Sequence, residues 1–547
     1  MPRKILATLT MSAMIMGSVA PMAYASPSLT VQATAQVVKG GAVTINGTAN
    51  LTDVIVKVVG PNQLNLFYDT QKVTNGAFQD SFTIPVNDQN WPLGVYTVSI
   101  GQGTNVQTTT FQLIETSTPP STGGGGGGGT PSTTPTAPTL PVSPTYSSGA
   151  SITDISGAID VKVDANGVAQ VTLDNTKTIA AIQNAKADSK TFVVALPQTS
   201  GSNSFSVTLS TEILNALSAK GGSEASIVVI SPFGDYNLPL HALGSQSKST
   251  IVVTIGQAKA PIPQQVQTSA TAQGLTVVGT PVTFTVESVD ANGTKKEIES
   301  FSNVYVARSV HVGSTVDTAH SVVVKVNADG SLIPVPTFFT KDATGYAAVI
   351  NRTSNSSYAV VTGSKSFSDV KGFWAEASIS KMASHLLVNG MTDTTFEPQA
   401  KMTRAQFTSL MVRALGLSDG EGTNKFADVA STDWFYKDVN IAVGAGLIDG
   451  YGDKFGPDDN ITREQMAVII TRALKFAGKT EETASKALKF ADAGDISSWA
   501  LPSISKAVQA GILEGDAEGL LRPGSLSTRA EGTVMLERML KSLQFIN

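Results

Sequence analysis

Phe367-Ser-Asp369-Val370, Phe426-Ala-Asp428-Val429 and Phe490-Ala-Asp492-Ala493 are three versions of one motif, and they decide the fold of the C-terminal third of the chain. They stand 59 and 64 residues apart. Self-similarity at such a spacing is typical of a repeat architecture. Beyond Phe367 the density of charged residues more than doubles, and helical periodicity replaces the alternating pattern of the preceding strands. A separate helical repeat domain is therefore predicted to begin there.

Each unit carries the same series of residues behind its phenylalanine. A tryptophan comes first, then a glycine, a proline, and an arginine six residues beyond the proline. The equivalent residues are Trp374, Trp434 and Trp499; Gly390, Gly450 and Gly515; Pro398, Pro457 and Pro523; Arg404, Arg463 and Arg529. Three of the 4 tryptophans of the chain thus occupy one equivalent position.

The arginines follow threonines that are predicted to start helices. Thr403, Thr462 and Thr528 are each followed three residues later by Gln or Glu, which is a capping box. The arginine becomes the first helical residue, where free backbone N–H groups and the helix dipole favour an anion. Apolar residues at helical spacing behind each tryptophan predict an earlier helix, so each unit is a helix, a glycine-proline loop and a second helix.

The ordered set of F-x-D-V, tryptophan, G-x-F-x-P and T-R-A-E motifs resembles the S-layer homology family. The resemblance implies three modules, at 367–417, 425–478 and 489–541, in an all-α pseudo-threefold assembly. It also implies that grooves between the modules bind secondary cell-wall polysaccharide, often pyruvylated, and hold the protein noncovalently on a Gram-positive-type wall.

The resemblance assigns candidate binding residues by position. The arginines are the anion clamps, since a pyruvyl carboxylate would accept charge-assisted hydrogen bonds from them. The tryptophans are stacking surfaces, Asp433 is an acceptor for sugar hydroxyls, and the three glycines let backbone approach the ligand. Because the units differ in detail, the grooves are expected to be unequal, with the second motif set the first choice. The polysaccharide-binding candidates are Trp374, Gly390, Arg404, Asp433, Trp434, Gly450, Arg463, Trp499, Gly515 and Arg529.

Plainer interpretations compete for the same residues. The tryptophans could pack within or between modules, and each arginine could form a salt bridge between modules. The opening phenylalanines are predicted to be core residues. Asp369, Asp428 and Asp492 are predicted to be structural residues of a turn or cap.

The N-terminus has the pattern of a secretory signal peptide over residues 1–25. Arg3 and Lys4 precede a short apolar run, and Ala23-Tyr24-Ala25 supplies the small residues of a cleavage site. The alternative, a membrane anchor, would need about 20 apolar residues. Secretion is predicted, with no membrane span in the mature chain.

The region between the signal peptide and the repeats is predicted to be β-rich. Residues 26–116 resemble an Ig-like sandwich, and 117–150 form a Gly/Ser/Thr/Pro linker with seven consecutive glycines. A phosphate-binding glycine loop is the alternative for that run, but no Lys-Ser/Thr follows it. Residues 151–259, with one short helix at 211–217, and 260–366 are predicted as two further β-rich domains divided by Pro261 and Pro263.

Composition excludes several classes of function. The net charge is −5, which argues against a nucleic-acid partner. The chain has 0 cysteines and 4 scattered histidines, so no disulfide, metal site or cofactor is predicted.

The leading interpretation is a non-enzymatic surface protein, either an S-layer subunit or an accessory protein of the wall, with other S-layer subunits as further partners. A wall-anchored polysaccharide hydrolase is the first alternative, with catalytic carboxylates in 151–365. The acidic residues there are interpreted as solvated loop residues; they are Glu224, Asp235, Glu287, Asp290, Glu297 and Glu299. The second alternative is that the modules make protein–protein lattice contacts.

Overall fold

A computed structural model describes residues 29–114 and 151–547 of the 547-residue chain. Short gaps fall at 34–35, 40, 62–64, 85–90, 92, 103–104, 314, 342–344, 418–421 and 480–487. The predicted signal peptide and the predicted linker lie outside the described residues. The chain divides into two compact units, Met1–Pro135 and Thr136–Asn547, and each is treated by itself.

The described part of the first unit consists of eight strands in two sheets. One sheet has the order β1-β3-β6 and the other β2-β8-β7-β4-β5. The strands are β1 (Leu29–Ala33), β2 (Gln36–Val38), β3 (Ala42–Ala49), β4 (Asp53–Val59), β5 (Asn65–Lys72), β6 (Ala77–Thr83), β7 (Gly94–Gln102) and β8 (Asn105–Ile114).

Period-two alternation builds the core of this unit. In β4 every second residue is fully buried, because successive side chains of a strand point to opposite faces. Trp91, Tyr96 and Phe111 stack in sequence in the core that both sheets share. The β-rich prediction is therefore confirmed for this unit, and its Ig-like type stays a prediction.

The second unit begins with sixteen described strands and three α-helices. One sheet has the order β10-β11-β13-β16-β17-β24-β20-β21, with β18 paired to β17; the other has β22-β23-β19-β15-β14-β12-β9. The strands are β9 (Ser151–Asp154), β10 (Ile159–Val163), β11 (Val168–Leu173), β12 (Ser189–Ala195), β13 (Ser204–Leu209), β14 (Ser226–Ser231), β15 (Gly234–Pro239), β16 (Thr250–Gln257), β17 (Thr276–Val289), β18 (Lys295–Glu297), β19 (Val306–Gly313), β20 (Ser321–Val326), β21 (Leu332–Val335), β22 (Phe338–Lys341), β23 (Tyr346–Arg352) and β24 (Ser356–Thr362). The helices are α1 (Asn175–Asn184), α2 (Thr211–Gly221) and α3 (Ile262–Ala272).

The predicted division of this region into two domains is corrected, as is the prediction of a single helix in 151–259. Strands from either side of residue 260 pair directly, β16 with β17 and β15 with β19, and one apolar core serves both sheets. We call this single body, residues 151–362, the β domain. The prolines at 261 and 263 begin α3 instead of separating two domains, since proline is tolerated in the first turn of a helix. The stretch 151–259 contains α1 as well as the predicted helix α2.

Helices dominate the region of the three repeats. Each module contributes two described helices: α4 (Glu376–Ser384) and α5 (Arg404–Ala414), α6 (Tyr436–Gly444) and α7 (Arg463–Phe476), α8 (Leu501–Gln509) and α9 (Arg529–Ser542). Apolar residues of all three modules form one continuous core, which includes Phe367 and Phe426. Within the described ranges, none of the helices combines the length and hydrophobicity needed to cross a bilayer.

The β domain docks on the helical modules through buried polar and aromatic contacts. The Tyr305 hydroxyl donates to the Leu415 carbonyl at 2.7 Å, and the Tyr305 ring meets Phe476 and Phe545 edge to face. The fully buried Arg352 donates to the Gly416 carbonyl. A buried guanidinium is costly unless its donors are satisfied, so this arginine ties the end of module 1 to the β domain.

Leu386 gives this joint an apolar contact. It has φ 58°, in the left-handed region, where Gly446 and Gly511 stand in the other modules with φ 67°. A residue with a β-carbon resists this conformation by roughly 1–2 kcal/mol. The Leu386 side chain, however, packs against the small apolar core between α3 and the β sheet. Partial burial of the leucine offsets the strain, which explains the departure of module 1 from glycine.

Candidate functional site

The predicted capping boxes place the three arginines at helix starts. The side chains of Thr403, Thr462 and Thr528 each accept a hydrogen bond from a backbone N–H in the first turn, and the Gln or Glu side chain there accepts one from the cap residue. Helices α5, α7 and α9 consequently begin at Arg404, Arg463 and Arg529. This part of the sequence prediction is confirmed.

Each arginine crosses to a loop of another module. Through Nε and Nη2 it donates to two backbone carbonyl oxygens there, with the first arginine reaching the second module, the second the third, and the third the first. The pairs are Arg404 to Phe455 and Asp449 (3.0 and 3.2 Å), Arg463 to Leu521 and Glu514 (2.8 and 2.9 Å), and Arg529 to Phe396 and Asn389 (2.9 and 2.7 Å). The contacts form a closed cycle.

The arginines differ in what neutralises their charge. Arg463 also donates through Nη1 to Glu531 at 3.0 Å, which is a salt bridge between modules. Gln406 and Gln465 occupy the position of Glu531 in the other modules. Arg404 and Arg529 form no ion pair with a described residue, and burial lowers the pKa of both, although a guanidinium stays protonated. Within the described part of the repeats, the salt-bridge interpretation therefore applies to Arg463 alone.

The three repeat tryptophans are exposed. The exposed fractions of Trp374, Trp434 and Trp499 are 63%, 66% and 56%, whereas Trp91 of the first unit is 5% exposed. Each of the three repeat indoles therefore leaves a large part of its apolar surface open to contact with a ligand or partner. Core packing does not explain these tryptophans.

One pocket brings residues of all three modules together. It has a volume of about 160 Å³ and contains Gly390 and Phe396 of the first module, Trp434 of the second and Arg529 of the third. We call it the intermodule pocket. The guanidinium of Arg529 lies 4.4 Å from the centre of the Phe396 ring, a cation–π contact on the pocket wall. The intermodule pocket is thus assembled from all three modules, and the second motif set contributes only Trp434 to its lining.

The glycines have a structural role within their own modules. A β-carbon at Gly390 would lie 2.5 Å from the ring of Phe367, and at Gly450 it would lie 2.3 Å from the ring of Phe426. At Gly515 the distance to Phe490 is 2.8 Å. Close packing of the loop on the opening phenylalanine is sufficient to require glycine here. Gly390 in addition lines the intermodule pocket.

The motif aspartates close the loops. Asp369 accepts from the backbone N–H groups of Phe396 and Glu397, and Asp428 and Asp492 make the equivalent bonds. Burial opposes ionisation of Asp369 and Asp428, but the backbone hydrogen bonds hold the pKa of each below its usual value. Their predicted structural role is confirmed.

Asp433 also serves a turn. Its Oδ2 accepts from the Ala430 N–H at 2.8 Å just before the exposed Trp434. Its role as an acceptor for sugar hydroxyls therefore rests on its other oxygen and stays a prediction.

Sequence reasoning missed a second arginine in the intermodule pocket. Arg413 lies nine residues after Arg404, on the same helix, and lines the pocket with Asn389. Arg472 and Arg538 recur at the same spacing in the other modules, so the repeat alignment contained the signal.

The acidic residues of the β domain only partly match their interpretation as solvated loop residues. Asp290 caps a turn and Glu224 pairs with Lys190 at the surface. Asp235, by contrast, lies in β15 with 1% exposure, and Glu287 lies in β17, where Lys295 pairs with it at 3.0 Å. The interpretation is wrong for these two because strand pairing buries or orders them, and Glu297 lies in a strand as well, in β18 opposite Glu287.

Comparison with known proteins identifies the repeats. The family model described as S-layer homology domain matches residues 366–408, 425–467 and 489–531. The chain therefore carries three S-layer homology domains, as the sequence predicted. The matched ranges end shortly after the first residues of α5, α7 and α9, so they include the arginines at the helix starts.

Several curated proteins are similar in sequence to part of this chain. An amylopullulanase of Thermoanaerobacterium thermosulfurigenes is 36% identical over 200 residues, which are 37% of this chain and 11% of that protein. Endo-1,4-beta-xylanase A of Thermoanaerobacterium saccharolyticum is 42% identical over 100 residues, or 18% and 9%. A surface-layer 125 kDa protein of Lysinibacillus sphaericus is 26% identical over 181 residues, or 32% and 15%.

The chain spans only a small part of the length of these relatives, between 9% and 15%. Together with the three domains, they support a location at the cell wall or cell surface.

Proposed function

We propose that the protein attaches noncovalently to the cell wall by binding secondary cell-wall polysaccharide that carries pyruvyl ketals. It would act as an S-layer subunit or as an accessory protein of the wall. S-layer homology domains bind cell-wall polysaccharide in general, which supports the class of ligand. The cyclic arginine contacts support the predicted pseudo-threefold arrangement of the modules.

The observation that carries the proposal is the composition of the intermodule pocket. An exposed indole, Trp434, and a guanidinium without a carboxylate partner, Arg529, share one cavity. A sugar ring offers an apolar C–H face to the indole, and its pyruvyl carboxylate can accept charge-assisted hydrogen bonds. The start of α9 lies beside the same arginine, and its dipole favours an anion. Its first backbone N–H groups, however, already donate to the Ala400 and Pro398 carbonyls and to the Thr528 hydroxyl, so the free N–H groups expected from the sequence are not available there.

The three grooves are predicted to be unequal, and the order changes from the sequence-based choice. Glu531 already neutralises Arg463, so a groove around that arginine would have to displace a carboxylate before it bound another. We therefore propose the groove of Trp434 and Arg529 as the principal one, with Arg404 next.

The test is cosedimentation of the full chain with purified sacculi. Binding should be lost when the polysaccharide is removed and should fall strongly when only the pyruvyl groups are stripped. Trp434→Ala should weaken binding by at least tenfold, whereas Trp374→Ala, an equally exposed indole, should change it little. Equal binding to stripped sacculi would overturn the carboxylate-reading mechanism and favour lattice contacts between proteins.

The second candidate is a wall-anchored hydrolase, because proteins with glycoside hydrolase names are similar in sequence to part of this chain. We propose the non-enzymatic role as the first choice. Release of reducing sugar from wall polysaccharide by the full chain would reverse that order.

A further inference from the structure

A second cleft opens where the β domain meets the first two modules. Its volume is about 360 Å³, within the usual range of ligand pockets of roughly 300–1,000 Å³. The β domain contributes Gln273, at the end of α3, and the β21 residues Ile333 and Pro334. The modules contribute Arg413 and Asp438. We call this space the interdomain cleft.

The interdomain cleft is continuous with the intermodule pocket. Asn389, Ser409 and Arg413 line both cavities. A chain-like ligand held by its end beside Trp434 would therefore run past Arg413 toward the β domain. A single sugar would occupy the first cavity alone.

Among the described residues, Arg413 differs from its equivalents in having no carboxylate within ion-pair distance, although the nearby Asp438 acts on it electrostatically. Arg472 pairs with Asp449 at 2.6 Å, and Arg538 pairs with Glu514 at 2.7 Å. The equivalent position in the first module is Asn389, which is neutral. Among the residues that the structure describes, Arg413 forms no ion pair, and its one hydrogen bond is a long one of 3.4 Å to the Leu387 carbonyl. Its guanidinium donors remain available on the cleft wall.

The lining provides acceptors as well as donors. Asp438 lines the interdomain cleft, and its burial raises the pKa of its carboxyl while Ser409, Arg413 and Lys437 oppose that effect. Positive and negative groups balance in the cleft, so it does not favour an anionic ligand. The apolar side chains of Ile333, Pro334 and Leu386 lie among these polar groups, which suits the mixed surface of a sugar ring.

We propose that the interdomain cleft binds the neutral sugar that follows the pyruvylated one along the wall polysaccharide. The β domain then forms part of the wall-binding site. This inference rests on the proposed function, because it takes the polysaccharide as the ligand. Leu386 supports it structurally, since its packing on the β domain holds the two walls of the cleft together.

The test compares ligands of different length on the full chain. The probes are a single pyruvylated sugar and a tetrasaccharide, both prepared from purified wall polysaccharide. The wild-type protein should bind the tetrasaccharide about tenfold more tightly, which corresponds to about 1.4 kcal/mol. Gln273→Trp, which fills the cleft from the side of the β domain, should remove this preference and leave binding of the single sugar unchanged.

Gln267→Trp is the matched control. It is an exposed glutamine within α3, outside the cleft lining, and should keep the tenfold preference. Equal preference in the two variants, or no preference in the wild-type protein, would overturn the interdomain site. Failure of the wild-type protein to bind either probe would instead overturn the proposed function, so the two failures are distinguishable.

Discussion

The first repeat module differs from the other two at three nearby positions. His385, Leu386 and Asn389 stand where the second module has Ala445, Gly446 and Asp449. The third module has the same kinds of residue as the second at these positions: Ala510, Gly511 and the acidic Glu514. The shared residues build a common frame of capped helices and tight loops. The departures, which all face the β domain or the intermodule pocket, give the first module its individual role.

Breaking the common frame should have the largest effect. Gly450→Ala would place a β-carbon 2.3 Å from the Phe426 ring and 2.4 Å from the Lys454 carbonyl oxygen, so we expect a loss of about 3 kcal/mol in the free energy of unfolding. Gly515→Ala has looser neighbours, at 2.8 and 3.1 Å, and should cost about 1 kcal/mol. Denaturant titration followed by tryptophan fluorescence measures both. Equal losses in the two variants would show that the distances in the structure do not determine how well each loop accommodates a β-carbon.

Acidification should destabilise the protein through the first module. His385 is buried near the backbone of Thr318 and Ala319, and burial, with a contribution from Lys381, lowers its pKa to about 4. The unfolded histidine has a pKa of about 6.5 and binds a proton first, so stability is complete above that pH and falls as the pH drops toward 4. We expect a loss of about 3 kcal/mol across this window.

The variant His385→Ala isolates this effect, because Ala445 and Ala510 show that the module accepts alanine there. Thermal unfolding of wild type and variant is measured from pH 7 to pH 4.5. The stability of the wild type should fall more steeply with decreasing pH than that of the variant. A variant that loses stability as steeply as the wild type would assign the slope to other groups.

Restoring the missing acid should make the first module resemble the others. Asn389→Asp is expected to pair with Arg413, as Asp449 pairs with Arg472, and to reduce affinity for wall polysaccharide about tenfold, or about 1.4 kcal/mol. Isothermal titration with the purified polysaccharide measures the change. The reciprocal Asp449→Asn should leave affinity within about twofold; a comparable loss there would indicate a general effect on the loops.

Exchanging Leu386 for glycine should have the smallest effect. The variant loses about 2 kcal/mol of burial but gains about 1 kcal/mol by relief of the left-handed backbone, for a net loss of about 1 kcal/mol. Gly446→Leu should lose a similar amount for the opposite reason, since its β-carbon would meet nothing within 4 Å and only strain is added. Hydrogen exchange should localise the first change to the joint with the β domain and the second to module 2.

Local features of the fold were predictable from the sequence, and features that depend on distant partners were not. The helix starts at Thr403, Thr462 and Thr528 follow from four-residue patterns, because a capping box is satisfied within one turn. The grouping of Gly390, Trp434 and Arg529 depends on how three modules pack, which no local pattern specifies. The fusion of 151–259 with 260–366 likewise depends on strand pairing across long separations.

The difference between Asn389 and its acidic equivalents was visible in the aligned repeats, but its meaning required the distance from Arg413. Burial of Asp235 also had no local signal, since an isolated acidic residue in an apolar run is typical of many surface strands.

Tyr305 and Arg352 join the β domain to two adjacent backbone carbonyls of module 1. Such a joint would fix the tilt of the β domain relative to the face that we propose binds the wall. Every copy bound to a common glycan layer would then hold its β domain at the same angle. A lateral force on the β domain of one copy would be transmitted to its wall-binding site. A flexible joint would let this angle differ between copies and would absorb the force instead.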